Sequence, residues 1–93
     1  MTVECNIEIK NEHGLHLRAA AMVAKAARDF DADIKFRYKD KTVDAKSTVG
    51  LVTLGAPRSG MVMVEASGDD ADGALNAIVS VLDGNEFQVH SVD

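Results

Sequence analysis

From Thr2 to Ile9 apolar and polar residues alternate without a break. Val3, Cys5, Ile7 and Ile9 fall on one side of an extended chain, and Thr2, Glu4, Asn6 and Glu8 on the other. That period of two predicts a strand with one buried face. The period changes after His16. Ala20, Val23, Ala24 and Ala27 recur at i, i+3, i+4 and i+7, which predicts an amphipathic helix over Leu17–Arg28. Arg18, Lys25 and Arg28 point elsewhere, and Leu17 and Met22 lie off the buried stripe.

Alternation returns from Asp33 to Tyr38, with Ile34, Phe36 and Tyr38 on one face. Lys39-Asp40 turns the chain, and Lys41 to Ala45 runs back, so a hairpin is expected, though without an Asn-Gly turn. Ser47 suits the N-cap of a short second helix that Gly55 ends. Pro57 to Gly60 is a turn, and Met61 to Ser67 is a mostly apolar fourth strand, expected in the middle of the sheet. A third helix follows Gly68-Asp69-Asp70, with Asp70 as N-cap, Gly84 as terminator and Ala74, Ala77, Ile78, Val81 and Leu82 as the inner face. Residues 85–93 form a tail in which Phe87, Val89 and Val92 are apolar. Whether it docks or extends stays open.

The order βαββαβα predicts an α+β fold: a four-stranded antiparallel sheet, covered on one face by three helices, as an open-faced β-sandwich. The helix between two strands separated in the chain suggests a split βαβ arrangement.

Length and composition narrow this. Residues 1–93 make one domain, with 46% hydrophobic and 27% charged residues, as expected of a soluble protein. No apolar run is long enough to span a bilayer, and no cationic leader is read at the start. A single cysteine fits a reducing compartment, so the cytoplasm is expected. Net charge is −5, yet its distribution matters more. All ten Lys and Arg lie in residues 1–60, whereas residues 61–93 carry seven acids and no Lys or Arg. The acidic last third argues against nucleic-acid binding. It leaves room for an acidic protein partner on the other half.

The candidate chemistry lies at His13-Gly14-Leu15-His16-Leu17-Arg18. A histidine at a helix start stands beside amides with no intrahelical partner and at the positive end of the dipole. Such an end receives anions. An imidazole there could take a phosphoryl group, with Arg18 adding a planar donor fork. Two other readings are weaker. A metal held by His13, His16 and Glu12 lacks a ligand set, because the two histidines flank a glycine in a loop and no Cys or third His stands at ligand spacing. A hydrolase built on Ser47 lacks any base or oxyanion arrangement that can be argued.

The element order, the Gly14-Leu15-His16-Leu17-Arg18 segment and the Lys46-Ser47-Thr48-Val49-Gly50-Leu51 segment together resemble HPr, the histidine-containing phosphocarrier family of the bacterial sugar phosphotransferase system. The resemblance spans residues 2 to about 83. It implies that His16 takes a phosphoryl group on Nδ1 from enzyme I, itself charged by phosphoenolpyruvate, and passes it to the IIA domain of a sugar permease. Arg18 matches the arginine beside the site. Ser47 matches a serine that an HPr kinase phosphorylates in many Gram-positive members, which links the family to a catabolite-control regulator. Leu17, Met22, Thr48, Val49, Leu51 and Val52 match the docking face. No cofactor and no metal are implied, and a monomer is expected.

Two departures stand out. Ala19 occupies the place of the family proline, and Thr48 is more polar than the residue usual there. A second class of function is a regulatory module of HPr type, whose phosphorylated form binds a transcription regulator or an enzyme and feeds no permease.

Overall fold

The computed structural model describes residues 1–82 and 90–91. Its elements are β1 (Thr2–Glu8), α1 (Leu17–Arg28), β2 (Asp33–Tyr38), β3 (Lys41–Asp44), α2 (Thr48–Leu54), β4 (Met61–Ser67), α3 (Ala71–Leu82) and β5 (His90–Ser91). The first seven follow the expected βαββαβα order. The four expected strands pair antiparallel, and β5 adds two residues at the edge, giving the order β3-β2-β4-β1-β5. Most of the predicted tail, with Phe87, Val89 and Val92, and the predicted stop at Gly84 lie outside the described residues.

Register follows from the alternation. Val3 faces Ala66, Cys5 faces Val64 and Ile7 faces Val62 across β1 and β4, while Ile34 and Phe36 of β2 face Ala66 and Val64. All eight side chains are buried. A slip of one residue would turn each of these rows to solvent, at roughly 1.5–3 kcal/mol for each large apolar side chain. β4 is central, as its apolar character predicts, but only alternate residues are buried. Met61 and Met63 lie on the open face, where the Arg37 guanidinium donates to the Met63 sulfur at 2.8 Å.

The helices cover the opposite face. α1 buries Ala19, Ala20, Val23, Ala24 and Ala27, and this row of small residues lets it pack against both α2 and α3. Ala19 was not expected in that row. α3 corrects the sequence reading in two ways. Its buried residues are Ala71, Ala74, Leu75, Ile78, Val79 and Leu82, whereas Ala77 and Val81 are only partly covered. The buried row is the one that meets α1, β4 and β1, which periodicity within one helix does not specify. The Asp70 carboxylate also does not cap its own helix. It accepts the amides of Asp31 and Ala32, both at 2.9 Å, and so anchors the loop entering β2.

Candidate functional site

The loop before α1 is set by Gly14. Its φ is +71°, and a Cβ there would lie 2.6 Å from the Ala56 carbonyl oxygen and 2.9 Å from the Pro57 Cα. A glycine is therefore required by both backbone conformation and space. The Gly14 amide closes a turn onto the Asn11 carbonyl at 3.0 Å, and the Leu15 amide donates to the Ala56 carbonyl at 2.9 Å. Leu15 then sinks into the core. These contacts hold the chain so that His16, half-buried, arrives as the N-cap of α1.

His16 has extended backbone angles, φ −81° and ψ −179°, and its Nδ1 accepts the Arg18 amide at 3.1 Å. An accepting Nδ1 carries a lone pair, so the proton of the neutral ring lies on Nε2. The Nδ1 lone pair therefore points at the helix N-terminus. The first turn of α1 contains no acid and carries Arg18, which is exposed. Nothing in that turn offsets its positive end, which favours an incoming anion. The Leu17 and Ala19 amides belong to the same turn and lie beyond the reach of the helix's own carbonyls.

The second predicted segment is also built as expected. Ser47 caps α2, its hydroxyl oxygen accepting the Gly50 amide at 3.0 Å, and Gly55 ends the helix in the left-handed region with φ +72°. The Arg28 Nε donates to the Lys46 carbonyl at 3.0 Å, while the Lys46 ammonium donates to the Phe30 carbonyl at 2.8 Å. The end of α1 is thus tied to the start of α2, and the start of α1 to the residues after α2. The two helices run antiparallel. His16 and Ser47 consequently stand at opposite ends of the pair and do not form one cluster.

Of the apolar residues expected on a docking face, Leu17, Met22, Val49 and Val52 are exposed, with Val49 at 73% and Leu17 at 68%. Thr48 is half-buried. Leu51 is fully buried, which corrects its assignment to that face. Within α2, Leu51 and Leu54 form the i, i+3 row facing the core, and Val49 and Val52 form the row facing out.

Sequence reading missed two neighbours of the site. One is the Ala56-Pro57-Arg58 segment, whose backbone packs on Gly14; only its turn character was visible. The other is a contact rather than a residue: the ring of His13, already in the candidate segment, meets that of His16 edge to face with centroids 5.9 Å apart and an interplanar angle of 66°. Among the described residues no three His, Cys, Asp or Glu side chains converge as metal ligands, so His13 and His16 find no third partner. No described helix is long and apolar enough to cross a membrane.

Comparison with known proteins agrees with this geometry. Residues 3–83 match the family described as PTS HPr component phosphorylation site. The phosphocarrier protein HPr of Vibrio cholerae is 40% identical over 80 residues, covering 86% of this chain and 94% of that protein. Among solved structures, HPr from Thermoanaerobacter tengcongensis superposes with a TM-score of 0.82 at 38% identity, covering 89% of this chain and 97% of that one. A phosphocarrier protein HPr from Bacillus anthracis also gives 0.82, at 32% identity, covering 87% and 96%. With the fold, the histidine-capped helix and these relatives in agreement, the chain belongs to the HPr family of phosphocarrier proteins of the phosphotransferase system.

Proposed function

We propose that the chain carries a phosphoryl group on Nδ1 of His16, taking it from enzyme I charged by phosphoenolpyruvate and passing it to IIA domains of sugar permeases. The observation that carries this reading is the bond from the Arg18 amide to His16 Nδ1. It aims the nucleophilic lone pair at the place where the helix offers donors. In the transfer, the Nδ1 lone pair attacks phosphorus. The P–N bond forms as the bond between phosphorus and the donor's leaving atom breaks, and that electron pair departs with the donor. The Arg18 amide turns from Nδ1 to a phosphoryl oxygen, and the Leu17 and Ala19 amides are further donors. The Arg18 guanidinium offsets the charge. Onward transfer runs the same steps in reverse.

Leu17, Met22, Thr48, Val49 and Val52 are the docking residues, with Leu51 supporting them from the core. Ser47 is a regulatory phosphorylation site for an HPr kinase, whose product a catabolite-control regulator would bind. The chain acts as one monomeric cytoplasmic domain, without cofactor, and is a carrier rather than an enzyme.

Incubation with enzyme I and labelled phosphoenolpyruvate should place an acid-labile, base-stable phosphate on the protein. His16→Ala should take up none. Arg18→Ala should charge more slowly with an almost unchanged melting temperature, because the side chain is exposed. Label that survives in His16→Ala would refute the assignment. Normal charging without chase to a IIA domain would favour the regulatory module instead.

A further inference from the structure

Arg28 stands in the last turn of α1, where a cation ordinarily offsets the negative end of its own helix. Its hydrogen bond goes elsewhere: the Nε donates to the Lys46 carbonyl at 3.0 Å. That carbonyl belongs to the peptide bond leading into Ser47, so the guanidinium is held next to the backbone of the serine. The side chain is exposed, and among the described residues its two Nη groups have no hydrogen-bond or ion-pair partner. An arginine with Nε held and Nη donors unspent is a planar fork available to an oxyanion.

The neighbouring charges are already engaged or of the wrong sign. The Lys46 ammonium donates to the Phe30 carbonyl at 2.8 Å, and the Asp44 carboxylate accepts the Lys46 amide at 2.9 Å. A phosphate on Ser47 would therefore stand near one fixed negative charge and lack a counter-charge unless Arg28 supplies it. We propose that Arg28 is an intramolecular clamp for a phosphate on Ser47, its Nε keeping the Lys46 carbonyl while its Nη groups donate to phosphate oxygens. This rests on the reading of Ser47 as a phosphorylation site. The clamp favours the phosphate dianion, ties α1 to α2 more tightly in the modified chain and cancels part of the charge that a partner meets. The modified serine thus has a receptor in its own chain, separate from any arginine that a regulator brings.

The test uses the full chain with phosphoserine installed at position 47 during translation, so that no kinase is needed. Phosphorus resonance titration reads the second ionisation of the phosphate, which lies near pH 6 for an ordinary phosphoserine. It should fall below that value in the parent. Arg28→Gln should weaken the phosphate as an acid about three- to tenfold, the effect of one partly solvated opposite charge. Arg28→Lys should recover only part of this, because it keeps the charge and loses the fork. Arg28→Gln also loses the Lys46 bond in both forms, so its drop in melting temperature should be larger in the phosphorylated chain than in the unmodified one. An ionisation equal in parent and Arg28→Gln, or an equal drop in both forms, would overturn the clamp. Failure of an HPr kinase with ATP to modify the parent at Ser47 would overturn the regulatory reading of that serine instead, and the installed phosphate would still decide the role of Arg28.

Discussion

Leu15 donates its amide to the carbonyl of Ala56 at 2.9 Å. That bond joins the entrance of α1 to the exit of α2, and the Arg28–Lys46 bond joins the opposite ends. The consequence is functional. A phosphate on His16 and one on Ser47 would occupy two poles of one helix pair. Direct repulsion between them is therefore weak in a screened solvent. Any influence of Ser47 on phosphoryl transfer must pass through the surface between them, which holds Val49 and Val52.

Gly14→Ala tests how the site loop is set. The left-handed conformation costs an L-residue roughly 1–2 kcal/mol, and the added methyl would meet the Ala56 oxygen at 2.6 Å. Stability should fall by about 2 kcal/mol or more, and charging of His16 should fall with it, because the Leu15–Ala56 bond that delivers His16 is displaced. Chemical denaturation and the labelling assay measure the two losses. Normal charging in this variant would show that the loop adapts.

Ala19→Pro restores the residue usual in the family. Ala19 lies in the first turn of α1, where its amide has no carbonyl of the helix to bond. The substitution should raise stability by roughly 0.4–1 kcal/mol through the unfolded chain and keep transfer. Ala19 is also buried at 5% exposure, so a drop in the melting temperature would show that the ring overfills the contact beneath it.

Cys5 makes the fold sensitive to alkali. Its thiol is pushed up from 9.0 to about 11, first by burial and then by the neighbouring Glu4 carboxylate. A thiol with a raised value in the folded chain holds its proton more tightly there than in the unfolded chain. That stability is fully present below about pH 9 and is lost as pH rises toward 11. Denaturation midpoints should therefore fall across this window, and the fall should be shallower in Cys5→Ala, which loses packing equally at every pH. Equal slopes would refute the assignment. The native thiol should also resist alkylation at neutral pH.

Ser47→Asp should fold normally and bind enzyme I more weakly. The new carboxylate lies at the N-terminus of α2, where the dipole accommodates it and the Gly50 amide remains available. It also lies beside the exposed apolar row of α2, where a hydrated charge is costly to desolvate against a partner. The Michaelis constant for charging by enzyme I should rise, while the turnover number, set at the distant His16, should hold. Phosphorylation of Ser47 itself, with roughly −1.5 to −2 charges, should act more strongly. An unchanged Michaelis constant in both forms would reduce Ser47 to a helix cap.

Much of this protein is determined by the sequence alone. The alternation of Val3, Cys5 and Ile7, the period of Ala20, Val23, Ala24 and Ala27, and the caps at His16, Ser47 and Gly55 are local patterns. A strand's two faces, a helix's stripe and a cap's reach all span only a few residues, so their physics is written in neighbouring positions. For the same reason the His16–Arg18 relationship was legible. Only the tertiary structure decided where distant segments meet. It placed the Asp70 carboxylate on the amides of Asp31 and Ala32 instead of its own helix. It buried Leu51 while exposing Val49 and Val52, because the direction from which α1 covers α2 selects the buried row of so short a helix. It added His90–Ser91 to the edge of β1, a pairing across nearly the whole chain. It also closed the Gly14 loop on Ala56, which brings the His13 ring against that of His16. Each of these depends on contacts between residues far apart in the chain, and no pattern confined to one segment records which partner it will find.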